Sequence, residues 1–216
     1  MLRSFLKRIK SDAHFKVTLL LTISLICNLI YAVFMFVVSQ IYKSKWFLVM
    51  SAYYGVLSMA RGFIFSQIKW KTTPTQKLKT MRVCGGFLLL VNLVVSVMMF
   101  LLIYENRPVK HHEITVITLA TYTFYSLTVA IVSNVRYAKK KNPVYFSAKM
   151  ISLISASVSL VTLTNTMLAT WGDSGELRAI ILPLLSGAVS IFIVSSAILM
   201  MVKSSLELRR RKSEKE

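Results

Sequence analysis

Acidic side chains are scarce in this chain of 216 residues: eight Asp and Glu stand against 27 Lys and Arg, a formal net charge of +19. All eight (Asp12, Glu105, Glu113, Asp173, Glu176, Glu207, Glu214 and Glu216) fall outside the long apolar runs. Ion-coupled transporters usually place a carboxylate in their pathway, and intramembrane acid proteases need one, so both classes are disfavoured. Only two cysteines occur, Cys27 and Cys84, each inside an apolar run. They read as buried free thiols rather than a disulfide framework. The three histidines form no His-Glu-x-x-His zinc motif, and none lies in an apolar run as a Ser/His protease would need. The seven glycines build no phosphate-binding loop. These absences point away from an enzyme, and no cofactor is expected.

Apolar residues are plentiful, at 55% of the chain with a mean hydropathy of +0.61. A soluble domain of this length cannot bury that much apolar surface while carrying so many bases. Lipid resolves the conflict. Six apolar runs, roughly 17–41, 46–68, 83–104, 114–135, 146–171 and 179–202, are each long enough to cross a ~30 Å hydrocarbon layer. They are apolar nearly all round, unlike the striped helices of soluble proteins, and far longer than membrane strands. The chain is therefore predicted to be all-α, a single membrane domain over 1–216 with six transmembrane helices and a basic tail at 203–216. Basic residues precede the first run, as in a signal peptide. That run is too long for one and has no small-residue cleavage site, so it reads as a retained helix.

The bases sort by connection. Arg3, Lys7, Arg8, Lys10 and Lys16 precede the first run, and Lys69, Lys71, Lys77, Lys79 and Arg82 fill the second loop. Arg136, Lys139, Lys140, Lys141 and Lys149 fill the fourth, and Lys203, Arg209, Arg210, Arg211, Lys212 and Lys215 the tail. The other three loops share only Lys43, Lys45, Arg107, Lys110 and Arg178. The positive-inside rule then places both termini in the cytoplasm. Such dispersed juxtamembrane bases, with no base-stacking aromatics among them, suit anionic headgroups at the cytoplasmic face rather than nucleic acid. Within the tail, Arg209 to Lys212 is the densest cluster, suited to a solvated stop-transfer anchor.

Weak internal similarity links the first and third runs, with Asn28-Leu29, Val33, Met35 and Phe36 matching Asn92-Leu93, Val97, Met99 and Phe100. It suggests three parallel helix hairpins. Mitochondrial carriers share that plan, but their Pro-x-acid-x-x-base signature is absent. In the fifth run Ser152, Ser155, Ser159, Thr162 and Thr166 form one seam, read first as a packing surface and second as a solute-lining face. Gly85, Asn92, Ser96 and Met99 make a similar line in the third run. Pro183, Ser186, Gly187 and Ser190 in the sixth suggest a kink and a close contact.

Arg61 is the one base deep inside an apolar run, Lys149 standing at the mouth of the fifth. It lies about 10 Å from the cytoplasmic end, where two readings compete: snorkelling to the interface, or facing the bundle to meet an anion. Tyr54, Leu57, Ser58 and Arg61 share a helical face, and Tyr122, Tyr125, Ser126 and Ser133 make a comparable one in the fourth run. The candidate ligand-binding set is Arg61, Tyr54, Ser58, Tyr122, Tyr125, Ser159 and Asn92, in a central site formed by the second, fourth and fifth helices. Asn28, Asn92 and Asn165 read first as helix-to-helix glue. His111-His112-Glu113 has poor metal geometry and no second cluster to complete a site, so no metal is expected.

The segments Ala52-Tyr53-Tyr54-Gly55-Val56-Leu57 ending in Arg61, and Ala120-Thr121-Tyr122-Thr123-Phe124-Tyr125, carry a family resemblance. So do Asn142-Pro143-Val144, Ala148-Lys149-x-Ile151-Ser152-Leu153 and Thr166-Met167-Leu168. Together they resemble a group of uncharacterised six-helix membrane proteins of Gram-positive bacteria such as clostridia. The resemblance implies a bacterial plasma-membrane location and no particular activity. The expected function is an uncoupled carrier or channel for a small anionic or amphipathic solute. The rival is a non-transporting accessory, immunity or lipid-binding scaffold protein, working as an oligomer or with a membrane partner subunit.

Overall fold

The computed structural model describes residues 13–69, 73–105, 113–138, 143–171 and 175–213. The bases Arg3, Lys7, Arg8, Lys10, Lys71, Arg107, Lys110, Lys139, Lys140, Lys141 and Lys215, with His111, His112 and Asn142, lie outside them. The described residues form six helices and no strand: α1 Ala13–Tyr42, α2 Lys45–Lys69, α3 Pro74–Glu105, α4 Glu113–Ala138, α5 Pro143–Trp171 and α6 Gly175–Ser213. Each is long and apolar enough to span a membrane, so this is a multi-pass membrane protein.

Two helices outrun the apolar runs that announce them. α3 starts at Pro74 rather than at residue 83, because Thr73-Pro74-Thr75-Gln76 is a capping box with proline in the first turn. The Gln76 side chain accepts the Thr73 N–H at 2.9 Å, and the Gln76 N–H reaches Thr73 Oγ1 at 3.4 Å. α6 runs to Ser213, so most of the expected tail is helix, and Lys203 and Arg209 to Lys212 lie along it. The α1–α2 turn is only Lys43-Ser44, and Lys43 takes a left-handed φ of 47° to close it.

The helices divide into a buried pair and two flanks. On α5, 56% of the apolar span is buried, against 11% on α1 and 17% on α4. α3 and α5 pack together, α2 and α6 each pack on both, α1 packs on α2, and α4 packs on α5. Three sequential hairpins are not what forms: α3 and α4 make no packed pair among the described residues, and α3 pairs with α6 instead. The core between α2, α3, α5 and α6 is closely packed and mainly apolar, with Leu57, Ile64, Leu88, Ile151, Ile154 and Ile193 all at 0% exposure.

Small residues explain the α3–α6 pairing. Leu78, Gly85 and Asn92 recur every seven residues on α3 and face Ser204, Ala197 and Ser190 in reverse order on α6. Ser204 Oγ donates to the Leu78 carbonyl at 2.6 Å, and Ser190 Oγ donates to Asn92 Oδ1 at 2.9 Å. Between these bonds the backbones come so close that a Cβ on Gly85 would lie 2.6 Å from Met201 Cγ and 3.1 Å from the Ala197 carbonyl oxygen. Gly187, by contrast, has open space where a Cβ would go, so the close contact of α6 lies further along the helix. Gly85→Ala is expected to cost about 1–3 kcal/mol by forcing the pair apart. Gly86→Ala meets nothing within 4 Å and gains helix propensity. Thermal melts in detergent should show Gly85→Ala falling and Gly86→Ala holding or rising; equal melts would refute the close-contact account.

Candidate functional site

α1 and α2 lie antiparallel, joined by side chains that bond to the opposite backbone. Ser51 Oγ donates to the Ala32 carbonyl at 2.9 Å, and Ser58 Oγ, seven residues on, donates to the Leu25 carbonyl at 3.4 Å. One turn later Arg61 Nη1 donates to the Ser24 carbonyl at 3.3 Å and to Ser24 Oγ. The pairing brings a stripe of α1, Ser24, Asn28 and Tyr31, against Arg61, Ser58 and Tyr54 of α2. Both stripes have the one-turn and two-turn spacing of a single helical face.

Arg61 is turned into the protein, with 7% of its surface exposed. Snorkelling past the helix end is therefore not the conformation adopted. Its two hydrogen bonds both use Nη1 and both go to Ser24. A guanidinium has five N–H groups, so the Nε–Nη2 edge, the side that grips carboxylate or phosphate with two parallel bonds, is left over. No ion pair joins Arg61 among the described residues. Asn28 Nδ2, on the same α1 stripe, is a second buried donor without an acceptor.

Aromatic residues extend the site away from the cation. The Tyr54 ring packs edge-on against Tyr31, centroids 4.5 Å apart, and against Tyr53, centroids 5.1 Å apart. The Tyr53 hydroxyl is buried beside Ser155 of α5 without a well-formed hydrogen bond. Tyr122 of α4 lies within electrostatic reach of both Arg61 and Tyr54, and Cys27 of α1 within reach of Arg61. Tyr122 is nevertheless 67% exposed. The site thus lies on the facing sides of α1 and α2, with Tyr122 of α4 at its edge and α5 behind Tyr53.

The site expected from sequence is redrawn accordingly. Arg61, Tyr54, Ser58 and Tyr122 do come together, at a flank rather than at the bundle centre. Asn92 is spent on Ser190 in the α3–α6 contact, and Ser159 Oγ donates to the Ser155 carbonyl of its own helix at 3.0 Å. Tyr125 is 69% exposed and joins no ring or hydrogen-bond contact of the site. The α5 hydroxyls likewise turn inward on their helix, Ser152 to Ala148, Thr162 to Ser159 and Thr166 to Thr162, which makes α5 a packing helix. Cys27 is exposed and Cys84 buried, and both are free. Sequence reasoning missed Ser24 and Tyr31 of α1 and read Asn28 first as helix-to-helix glue. Their spacing mirrors Tyr54, Ser58 and Arg61 across the short turn, and that symmetry was the signal. No family model, curated protein or solved structure matches this chain.

A buried cation with no counter-charge opposes folding. Replacing such a group by an apolar one of similar length is commonly neutral or stabilising. Arg61→Met is therefore expected to melt at or above the wild-type temperature when no ligand is present. A fall of several degrees in a detergent melt would instead make Arg61 a structural residue.

Proposed function

We propose that this chain is a non-catalytic protein of a bacterial plasma membrane, with both termini cytoplasmic, that binds a small anionic or amphipathic solute at Arg61 and carries it without ion coupling. The observation that supports this reading is a buried guanidinium that bonds to Ser24 through Nη1 and meets no carboxylate among the described residues. The closely packed core argues for a carrier over an open channel, because hydrated ions do not pass side chains packed to 0% exposure. Purified protein in liposomes should release a trapped small carboxylate faster than protein-free liposomes. Arg61→Met should reduce that release about ten-fold or more, the loss expected when a charge-assisted hydrogen-bond pair goes. Release that is equal with and without protein would overturn transport.

The exposed flank at Tyr122 supports a second reading, a lipid-binding scaffold or accessory subunit. Such a protein would be silent in the liposome assay and would co-purify with a partner.

Orientation is tested with single cysteines in a background lacking Cys27 and Cys84. A membrane-impermeant maleimide should label Lys43→Cys on intact cells, and Lys79→Cys only after permeabilisation. Labelling of Lys79→Cys from outside would reverse the topology.

A further inference from the structure

Resting on the reading of Arg61 as an anion site, we propose that its ligand is an anionic single-chain amphiphile that enters sideways from the leaflet at the basic end, between α1 and α4, with its charged head on Arg61. The shared chemistry is a carboxylate or phosphate head on an apolar chain.

Access from the side follows from where the site lies. The centre of the bundle is closed by apolar residues, whereas the flank beside Arg61 is bounded by the two least buried helices. The surface those helices present at that depth is lipid-like, with Ile23 at 51% and Ile26 at 50% on α1 and Val129 at 46% exposure on α4. Either kind of anion must shed water to reach a guanidinium about 10 Å inside the span. An amphiphile's chain already lies in that layer, which concentrates its head beside the site and adds apolar contact to offset the cost. The donors at hand are the free Arg61 edge and Asn28 Nδ2, which together suit an acceptor-only head.

The direction of the bound molecule follows from the helix register. Arg61 lies seven residues from the basic end of its span at Ile68, and Tyr54 lies two turns deeper. The pairs Arg61–Ser24 and Tyr54–Tyr31 therefore stack along the membrane normal, cation towards the basic end and aromatic wall towards the middle. That is the order of a lipid in the same leaflet: head outward, chain inward. Exposed bases at that end, Lys79, Arg82, Lys203 and Arg209 among the described residues, raise the local concentration of anionic amphiphiles in that leaflet.

The test uses the full chain in nanodiscs of phosphatidylcholine, with the melting temperature as readout. The probes are oleate and oleoyl lysophosphatidate as charged amphiphiles, monoolein as a neutral one, and acetate and inorganic phosphate as soluble anions. Oleate, lysophosphatidate or both should raise the melting temperature of the wild type, and the stronger names the head. Neither should raise that of Arg61→Met, and monoolein should raise neither protein. Arg61→Lys keeps the charge without the two-bonded edge, and should bind about ten-fold more weakly. If Arg61→Met fails to fold, this comparison carries the test. Tyr122→Ala, at an exposed position, should melt as wild type without ligand and bind the amphiphile more weakly. Acetate or phosphate acting through Arg61 while the amphiphiles do not would overturn lateral entry and leave the anion site standing. No probe distinguishing wild type from the Arg61 variants would overturn both. Monoolein matching oleate would show chain binding without a charged head, and unchanged affinity in Tyr122→Ala would remove α4 from the site; either overturns the proposal.

Discussion

In hydrocarbon, one apolar helix gains nothing by exchanging lipid for another apolar helix, so association must come from close approach and from polar groups with nowhere else to bond. This bundle meets that constraint with serine. Ser204 and Ser190 tie α6 to α3, and Ser51 and Ser58 tie α2 to α1, each donating to an oxygen on the facing helix. Individual bonds of this kind contribute on the order of 0.6 kcal/mol. They matter because they sit seven residues apart on α2 and fourteen apart on α6, so the same register that forms one forms the next. Gly85 is the tightest point of that register, and the α3–α6 pair is the frame against which α5 and then α2 are laid.

Arg61 obeys the opposite logic. The serine contacts between helices each join one donor to one acceptor, while Arg61 offers more donors than Ser24 can take. An Arg at the centre of a spanning helix costs about 2.5–3.5 kcal/mol on insertion scales. The chain tolerates a group of this kind at the flank, where side-chain oxygens and tyrosine rings gather, while the buried polar groups deeper in the bundle are uncharged hydroxyls such as Ser147 and Ser204. Stability and recognition are thereby separated in space: the frame is α3, α5 and α6, and the site is on α1, α2 and the edge of α4.

How much of this was legible in the sequence depended on which physical signal each feature leaves. Six spans were plain, because length and apolar composition survive without any knowledge of partners. The early start of α3 was also written in Thr73-Pro74-Thr75-Gln76, but hydropathy alone stops at the last apolar residue and passes over caps. Which helix meets which was not legible. Gly85, Ala197 and Ser204 are ordinary membrane residues until their sevenfold spacing is laid antiparallel, and nothing local selects α6 over α4 as the partner of α3. The site was half legible. Arg61 and its tyrosines stood out as anomalies within one helix, whereas Ser24 and Tyr31 are unremarkable until the Lys43-Ser44 turn folds α1 back onto α2. Asn92 misled because a buried amide looks the same whether it glues helices or awaits a ligand.

The continuity of α6 has a mechanical consequence. Beyond Pro183 its remaining 30 residues make a rod of about 45 Å, half as long again as the hydrocarbon layer is thick. Such a rod cannot lie wholly within the bilayer unless steeply inclined, so the stretch carrying Arg209 to Lys212 stands clear of the apolar layer as a stiff mast rather than a tether. A tether lets its charges wander and settle on whatever is nearest. A mast holds them at a bearing set by how α6 leans on α3, so a small tilt at Gly85 becomes a displacement of several ångströms at the tip.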